Sequence, residues 1–208
     1  MRNERNSRIW GGFALLLLLA AGLLVWNVYA GSVSIPPAAI WQALRGGSVD
    51  EMHRAIVWSI RLPRVLAALI LGGALSVSGY LLQTFFHNPI AGPFVLGVSS
   101  GAKLTVALVM IGLLSRGVTS SSAVLITAAF AGAMLSMGFV LAISHKVRRM
   151  SLLVVCGVMI GYICTALTDL LVTFADDSNI VNLHNWSLGS FSGMSWDNVR
   201  TMALVCGV

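Results

Sequence analysis

The sequence predicts an all-α protein, a polytopic bundle of transmembrane helices, and three observations carry that reading. Of its 208 residues, 57% are hydrophobic and only 10% are charged, whereas an ordinary soluble domain carries about 25% charged residues. The charges are clustered, so that apolar runs of about 18 residues or more alternate with short polar connectors, as in chains that cross a bilayer repeatedly. Within those runs small residues recur four apart, which lets helices dissolved in lipid approach one another closely.

The first span is read at residues 9–30. At about 1.5 Å of rise per residue it covers roughly 33 Å, enough for a hydrocarbon core of about 30 Å. Arg2, Arg5 and Arg8 precede it, and Val28, Tyr29 and Ala30 resemble a cleavage site, so a signal peptide is the rival reading. The length of the apolar run and the spans that follow favour a retained helix. Further spans are read at residues 65–86, 94–114, 123–144 and 151–174, and another begins near Val199, which makes five complete spans in a single domain, 1–208. Residues 31–64, with Pro36, Pro37, Gly46 and Gly47, read as an irregular loop holding a short interfacial helix. Residues 175–198, rich in Asp, Asn, Ser, Gly and Trp, read as a second polar connector.

Orientation follows the excess of basic residues in short cytoplasmic loops. Arg2, Arg5 and Arg8 and the connector His145, Lys146, Val147, Arg148 and Arg149 fall on one side after four crossings, which puts the N-terminus in the cytoplasm. Arg45, Arg54, Arg61, Arg64, Arg116 and Arg200 then lie outside, so charge density rather than the total decides. Arg61 and Arg64 stand at the outer start of the second span, where the helix dipole also disfavours cations, and a compensating partner is expected for them.

The packing ridges are Ala68, Gly72 and Ser76 in the second span, Ala128, Gly132 and Ser136 in the fourth, and Gly157, Gly161 and Thr165 in the fifth. Asp169 extends the last ridge by one step. An ionisable residue within a span is a candidate for the bundle interior or a water-filled path; a carboxylate at the outer interface is the alternative.

Several function classes drop out. The net charge of +6 is not arranged as a basic stripe interleaved with aromatics, which argues against a nucleic-acid partner. Cys156, Cys164 and Cys206 lie in apolar stretches, and His53, His87, His145 and His184 are scattered, so neither a metal site nor a cofactor is expected. The chain has no G-x-x-x-x-G-K-[ST] phosphate loop, no H-E-x-x-H pair and no nucleophile elbow, so it reads as a non-enzyme whose ATP hydrolysis, if any, belongs to a partner. Lys103, in the third span, receives no role.

A longer pattern is more specific. Arg61-Leu62-Pro63-Arg64-Val65-Leu66-Ala67 leads into Gly72-Gly73-Ala74-Leu75-Ser76-Val77-Ser78-Gly79, then Gln83, Asn88-Pro89-Ile90-Ala91-Gly92-Pro93 and Leu96-Gly97-Val98-Ser99-Ser100-Gly101-Ala102. Gly157-Val158-Met159-Ile160-Gly161 and the run from Trp186 through Leu188-Gly189 to Gly193-Met194-Ser195-Trp196 follow. Together these resemble the permease family of ABC importers for iron-siderophores, haem and cobalamin. The resemblance implies a ten-span subunit of the bacterial plasma membrane, paired with a second permease subunit as a homo- or heterodimer around a central path. It also implies an extracytoplasmic substrate-binding protein outside, two ABC ATPase subunits inside, and a ferric siderophore as cargo, with haem and cobalamin behind.

By the same resemblance Arg61 meets acidic residues of the binding protein, with Arg64 as the second docking candidate. Forked guanidinium–carboxylate pairing would give such docking its geometry; lipid headgroups are the competing partner, chiefly for Arg64. Asn88 and Ile90, flanking the bend at Pro89, match a cytoplasmic gate, and Met150 and Ser151 a second one; an ordinary turn is the alternative for each pair. Trp186 and Trp196 belong either to an interfacial aromatic belt or to the path. Against ten spans the chain reads as the N-terminal part of a longer family domain, and the rival function is a truncated, non-transporting membrane scaffold.

Overall fold

The computed structural model describes residues 2–114, 121–147 and 150–207. Arg116, Arg148 and Arg149, three of the cations in the orientation argument, lie outside the described residues. Among the described residues all regular structure is helical: α1 (Arg2–Tyr29), α2 (Pro37–Arg45), α3 (Glu51–Ala55), a π-helical turn (Ile56–Arg61), α4 (Leu62–Phe86), α5 (Val98–Leu114), α6 (Ser122–Ser144), α7 (Met150–Thr173), α8 (Asp177–Leu188) and α9 (Trp196–Gly207). Four stretches among the described residues are long and apolar enough to cross a membrane: Asn6–Tyr29, Glu51–Phe86, Ser122–Ser144 and Met150–Thr173. Helix α5 is apolar but has 17 residues, or roughly 26 Å of rise. Large apolar side chains such as Leu17, Leu18 and Trp26 on α1 are more than two-thirds exposed, as a helix solvated by lipid requires.

Two expected connectors prove to be helical. Residues 31–64 hold α2 and the whole first part of a helix that runs unbroken from Glu51 to Phe86, so the helix of the second span starts at Glu51, ahead of the apolar run read from Val65. Pro63 lies inside it, although a proline ring collides with the carbonyl four residues back and removes a hydrogen bond. The π turn just before it accommodates the ring without ending the helix. Residues 175–198 hold α8 and the start of α9. The third helix, by contrast, starts later than expected, at Val98 instead of Phe94.

The chain packs as two compact units, Met1–Gly73 with Phe191–Val208, and Ala74–Ser190. In the first, Ile35, Ile40, Ala43 and Val57 form a buried core, with Val28, Ile56 and Leu62 against it. Helix α2 is delimited by its sequence: Pro37 opens it, and Gly46, at φ 76°, takes the left-handed conformation that closes it.

In the second unit α5 packs between α6 and α7. Gly132 and Ser136 of α6 and Gly157 and Gly161 of α7 lie at these contacts. A Cβ on Gly132 would collide with Gly101 and Thr105 of α5, and a Cβ on Gly157 would come within 3.0 Å of Leu96 Cα. Gly161 faces Gly97, whose φ of 74° and 2.8 Å clearance to the Gly157 carbonyl oxygen demand glycine. Ser136 Oγ donates to the Gly97 carbonyl (2.9 Å) and Thr105 Oγ1 to that of Ala128 (2.7 Å), so polar contacts join the small-residue seams. The ridge of α4 differs: Ala68, Gly72 and Ser76 are exposed, and a Cβ on Gly72 meets nothing within 4 Å. Leu183 and Trp186 bring α8 onto α5 at Val106 and Met110.

Candidate functional site

The candidate residues fall into a group within each unit. In the first unit the helix from Glu51 to Phe86 carries both docking candidates on adjacent turns. Arg61 is buried, only 6% exposed. Its Nη1 donates to the carbonyls of Val28 (2.7 Å) and Tyr29 (3.0 Å), and Nη2 donates to that of Val33. These are the last carbonyls of α1 and one in the turn beyond it, which have no helical donor. A cation there also meets the negative end of the helix dipole. Gly31 makes room for the guanidinium, since a Cβ on it would lie 2.7 Å from Nη2. The compensation that the sequence called for is therefore met by backbone oxygens of the same chain. Arg64, one turn on, is exposed. Both arginines, with Asn27 and Ser32, line a cavity of about 120 Å³.

Beside them lies a pair the sequence reading only half found. Trp196 Nε1 donates to the carbonyl of Trp58 (2.8 Å), the two rings lie 6.1 Å apart, and Trp58 Nε1 donates to the Ala43 carbonyl at the end of α2 (3.0 Å). Trp58 went unmentioned; the signal that would have found it is the proline five residues on, within an apolar helical stretch.

In the second unit the two gate candidates come together. Helix α4 ends at Phe86, His87 takes φ 48°, and Asn88 Oδ1 accepts from the Ile90 amide (3.0 Å), closing a tight turn over Pro89. Ala91 and Leu96, on the far side of that turn, pack with Phe86 against Leu153 and Val154 of α7, and Ile143 and Val147 join the cluster. The turn thus sits against the first turns of the helix that Met150 and Ser151 begin. Asn88 is half-buried, whereas Pro89, Ile90, Met150 and Ser151 are exposed; Ile90 is 69% exposed despite being apolar.

Helix α7 buries Leu153, Val154, Gly157, Gly161 and Thr168 on one face. Its opposite face exposes Ser151, Val155, Met159, Tyr162, Ala166 and Asp169, which recur at the three- and four-residue spacing of one helical stripe. Asp169 is therefore on the side away from the α5 contact, not on the Gly157–Gly161 ridge as its spacing suggested. Trp186 is half-buried against Val106 and Met110, and Trp196 half-buried at Trp58. Lys103 is half-buried on α5. Among the described residues no three His, Cys, Asp or Glu side chains come together as metal ligands.

A family model, the FecCD transport family, matches residues 16–208. The vitamin B12 import system permease of Klebsiella pneumoniae is 37% identical over 199 residues, 96% of this chain and 56% of that protein. Its counterpart in Yersinia enterocolitica is 35% identical over 198 residues, 94% of this chain and 54% of that one. The chain spans about half the length of the curated relatives it matches. A metal-chelate type ABC transporter solved in an inward-facing conformation superposes with a TM-score of 0.70 at 26% identity, covering 93% of this chain and 56% of its own.

Proposed function

The chain belongs to the FecCD transport family, and from that premise we propose that it contributes the first half of the membrane permease of an ABC importer for a metal-centred chelate. The observation that carries the reading is the match along 96% of the chain to a vitamin B12 import permease. Cobalamin is accordingly the favoured cargo over the ferric siderophore expected from the motifs. The structure supplies surfaces suited to such a role. The stripe Ser151, Val155, Met159, Tyr162, Ala166 and Asp169 on α7 is exposed among the described residues; it mixes polar and apolar side chains, which suits a weakly binding path better than a lipid contact. The adjoining turn at Asn88, Pro89 and Ile90 and the α7 start at Met150 and Ser151 form the cytoplasmic constriction of that path.

In this reading a second permease subunit faces the α7 stripe, an ATP-binding-cassette ATPase drives the cycle from the cytoplasm, and an extracytoplasmic substrate-binding protein delivers the chelate at the Arg64 end. The N-terminus is cytoplasmic, in the plasma membrane of a bacterium. Uptake of radiolabelled cyanocobalamin, with and without excess ferric siderophore, by cells carrying the complete permease gene tests the assignment. Saturable cobalamin uptake that the siderophore does not compete is expected; iron uptake without cobalamin uptake would overturn the cargo.

A further inference from the structure

The π turn at Ile56–Arg61 leaves a carbonyl without a helical donor, and its partner comes from far along the chain. In a π turn each N–H bonds five residues back instead of four. The Leu62 N–H accordingly goes to the Val57 carbonyl. The Trp58 carbonyl is then next in line, and its donor in this register would be the amide of residue 63. That residue is proline, which has none. The indole N–H of Trp196 fills the vacancy at 2.8 Å. The alternative α register would turn the Trp58 carbonyl along the helix axis to the Leu62 N–H, so the bond from the Trp196 indole favours the π register over it. With Trp196 in place, Leu62 stays with Val57 and the extra residue stays in the helix.

What depends on that register is the placement of the arginines. One residue more or less turns a helix by about 100°. Relaxation to the α register would rotate residues 56–61 against α4, withdrawing Arg61 from the carbonyls of Val28, Tyr29 and Val33 and swinging Val57, now 0% exposed, out of its core. We propose that Trp196 is a positioning residue: its indole N–H holds the π register of residues 56–61, and through it fixes Arg61 in the α1 terminus and Arg64 at the exposed surface. This deepens the docking role of Arg64 and rests on that reading for its functional consequence. It also divides two neighbouring cations by task, since Arg61 holds the turn after α1 while Arg64 is left to meet an anion.

The test separates the indole N–H from the bulk of the ring. A Val57→Cys reporter in the full chain, reconstituted in nanodiscs, is labelled with a water-soluble maleimide. Trp196→Phe, which keeps an aromatic ring and loses the N–H, is expected to speed labelling roughly five- to tenfold, as loss of one hydrogen bond implies. Trp196→His, which returns a ring N–H in a smaller side chain, is expected to bring labelling back toward its original rate. A purely space-filling Trp196 would rank the smaller histidine below phenylalanine. Unchanged labelling in Trp196→Phe, or labelling of Trp196→His as fast as that of Trp196→Phe, would overturn the proposal. Binding-protein affinity, measured on the same variants in the assembled transporter, is expected to follow labelling; if labelling shifts and is rescued while affinity stays constant, the latch stands and the docking reading falls.

Discussion

Replacing Gly132 by alanine is expected to destabilise the Ala74–Ser190 unit by about 3 kcal/mol, although it adds one methyl group and improves helix propensity. An added Cβ would overlap Thr105 Oγ1 and the Gly101 carbonyl and come 2.8 Å from Thr105 Cγ2. Overpacking of this kind costs about 1–3 kcal/mol. Thr105 would also have to leave its 2.7 Å bond to the Ala128 carbonyl, a net loss of about 1 kcal/mol. The alanine recovers about 1 kcal/mol of helix propensity. Gly161→Ala is a graded control, since its Cβ would sit 3.2 Å from Gly97 Cα, and a shift of a few tenths of an ångström relieves it. Gly72→Ala, whose Cβ meets nothing within 4 Å, is expected to be neutral or stabilising by up to about 1 kcal/mol. Equilibrium unfolding in mixed detergent micelles, followed by far-ultraviolet circular dichroism, ranks the three. If Gly132→Ala proves as stable as Gly72→Ala, the close α5–α6 approach is wrong.

Other expectations follow from single contacts. Arg61→Gln is expected to lose about 3 kcal/mol or more, because a neutral amide cannot serve the three carbonyls held by the guanidinium, while Arg64→Gln, at an exposed site, changes stability by about 0.5 kcal/mol or less; thermal unfolding in detergent compares them. Asn88→Ala removes the acceptor for the Ile90 amide and is expected to raise hydrogen exchange at that amide by roughly tenfold, with α7 exchange unchanged. Thr105→Val keeps the side-chain volume and leaves the Ala128 carbonyl without its hydroxyl donor, for an expected loss of about 1 kcal/mol in the same unfolding assay.

The helices that the sequence revealed most clearly are those whose ends coincide with a change of solvent. Helices α6 and α7 begin and end within a residue of the apolar runs, because at those points lipid gives way to polar connectors. The long helix from Glu51 was hidden because its first turns are polar and charged and follow Gly46 and Gly47, while Pro63 inside it is accommodated by a π turn. Helix α8 was hidden for a related reason: its polar residues carry no apolar run, and its stability comes from Leu183 and Trp186 docking on α5. The four-residue spacing of small residues falls on close approaches at Gly132, Gly157 and Gly161, whereas a Cβ at Gly72 would have room, since periodicity reports a face suited to packing and not how closely it is approached. The proximity of the Asn88 turn to the start of α7 is a long-range contact between Ala91, Leu96, Leu153 and Val154, and no local pattern encodes it. Arg61 illustrates the opposite hazard, for a motif arginine at a helix end suggests an external partner while the geometry gives it three internal ones.

The sidedness of the helix from Glu51 to Phe86 decides whether gate and docking surface are placed correctly, and it can be measured by labelling single cysteines in intact bacteria with a membrane-impermeant maleimide. Arg64→Cys is expected to react in whole cells and Ile90→Cys only after permeabilisation, both positions being exposed in the structure. Reaction of Ile90→Cys in intact cells, with Arg64→Cys protected, would invert the chain in the membrane and contradict an importer that receives its cargo at Arg64 and releases it past Asn88.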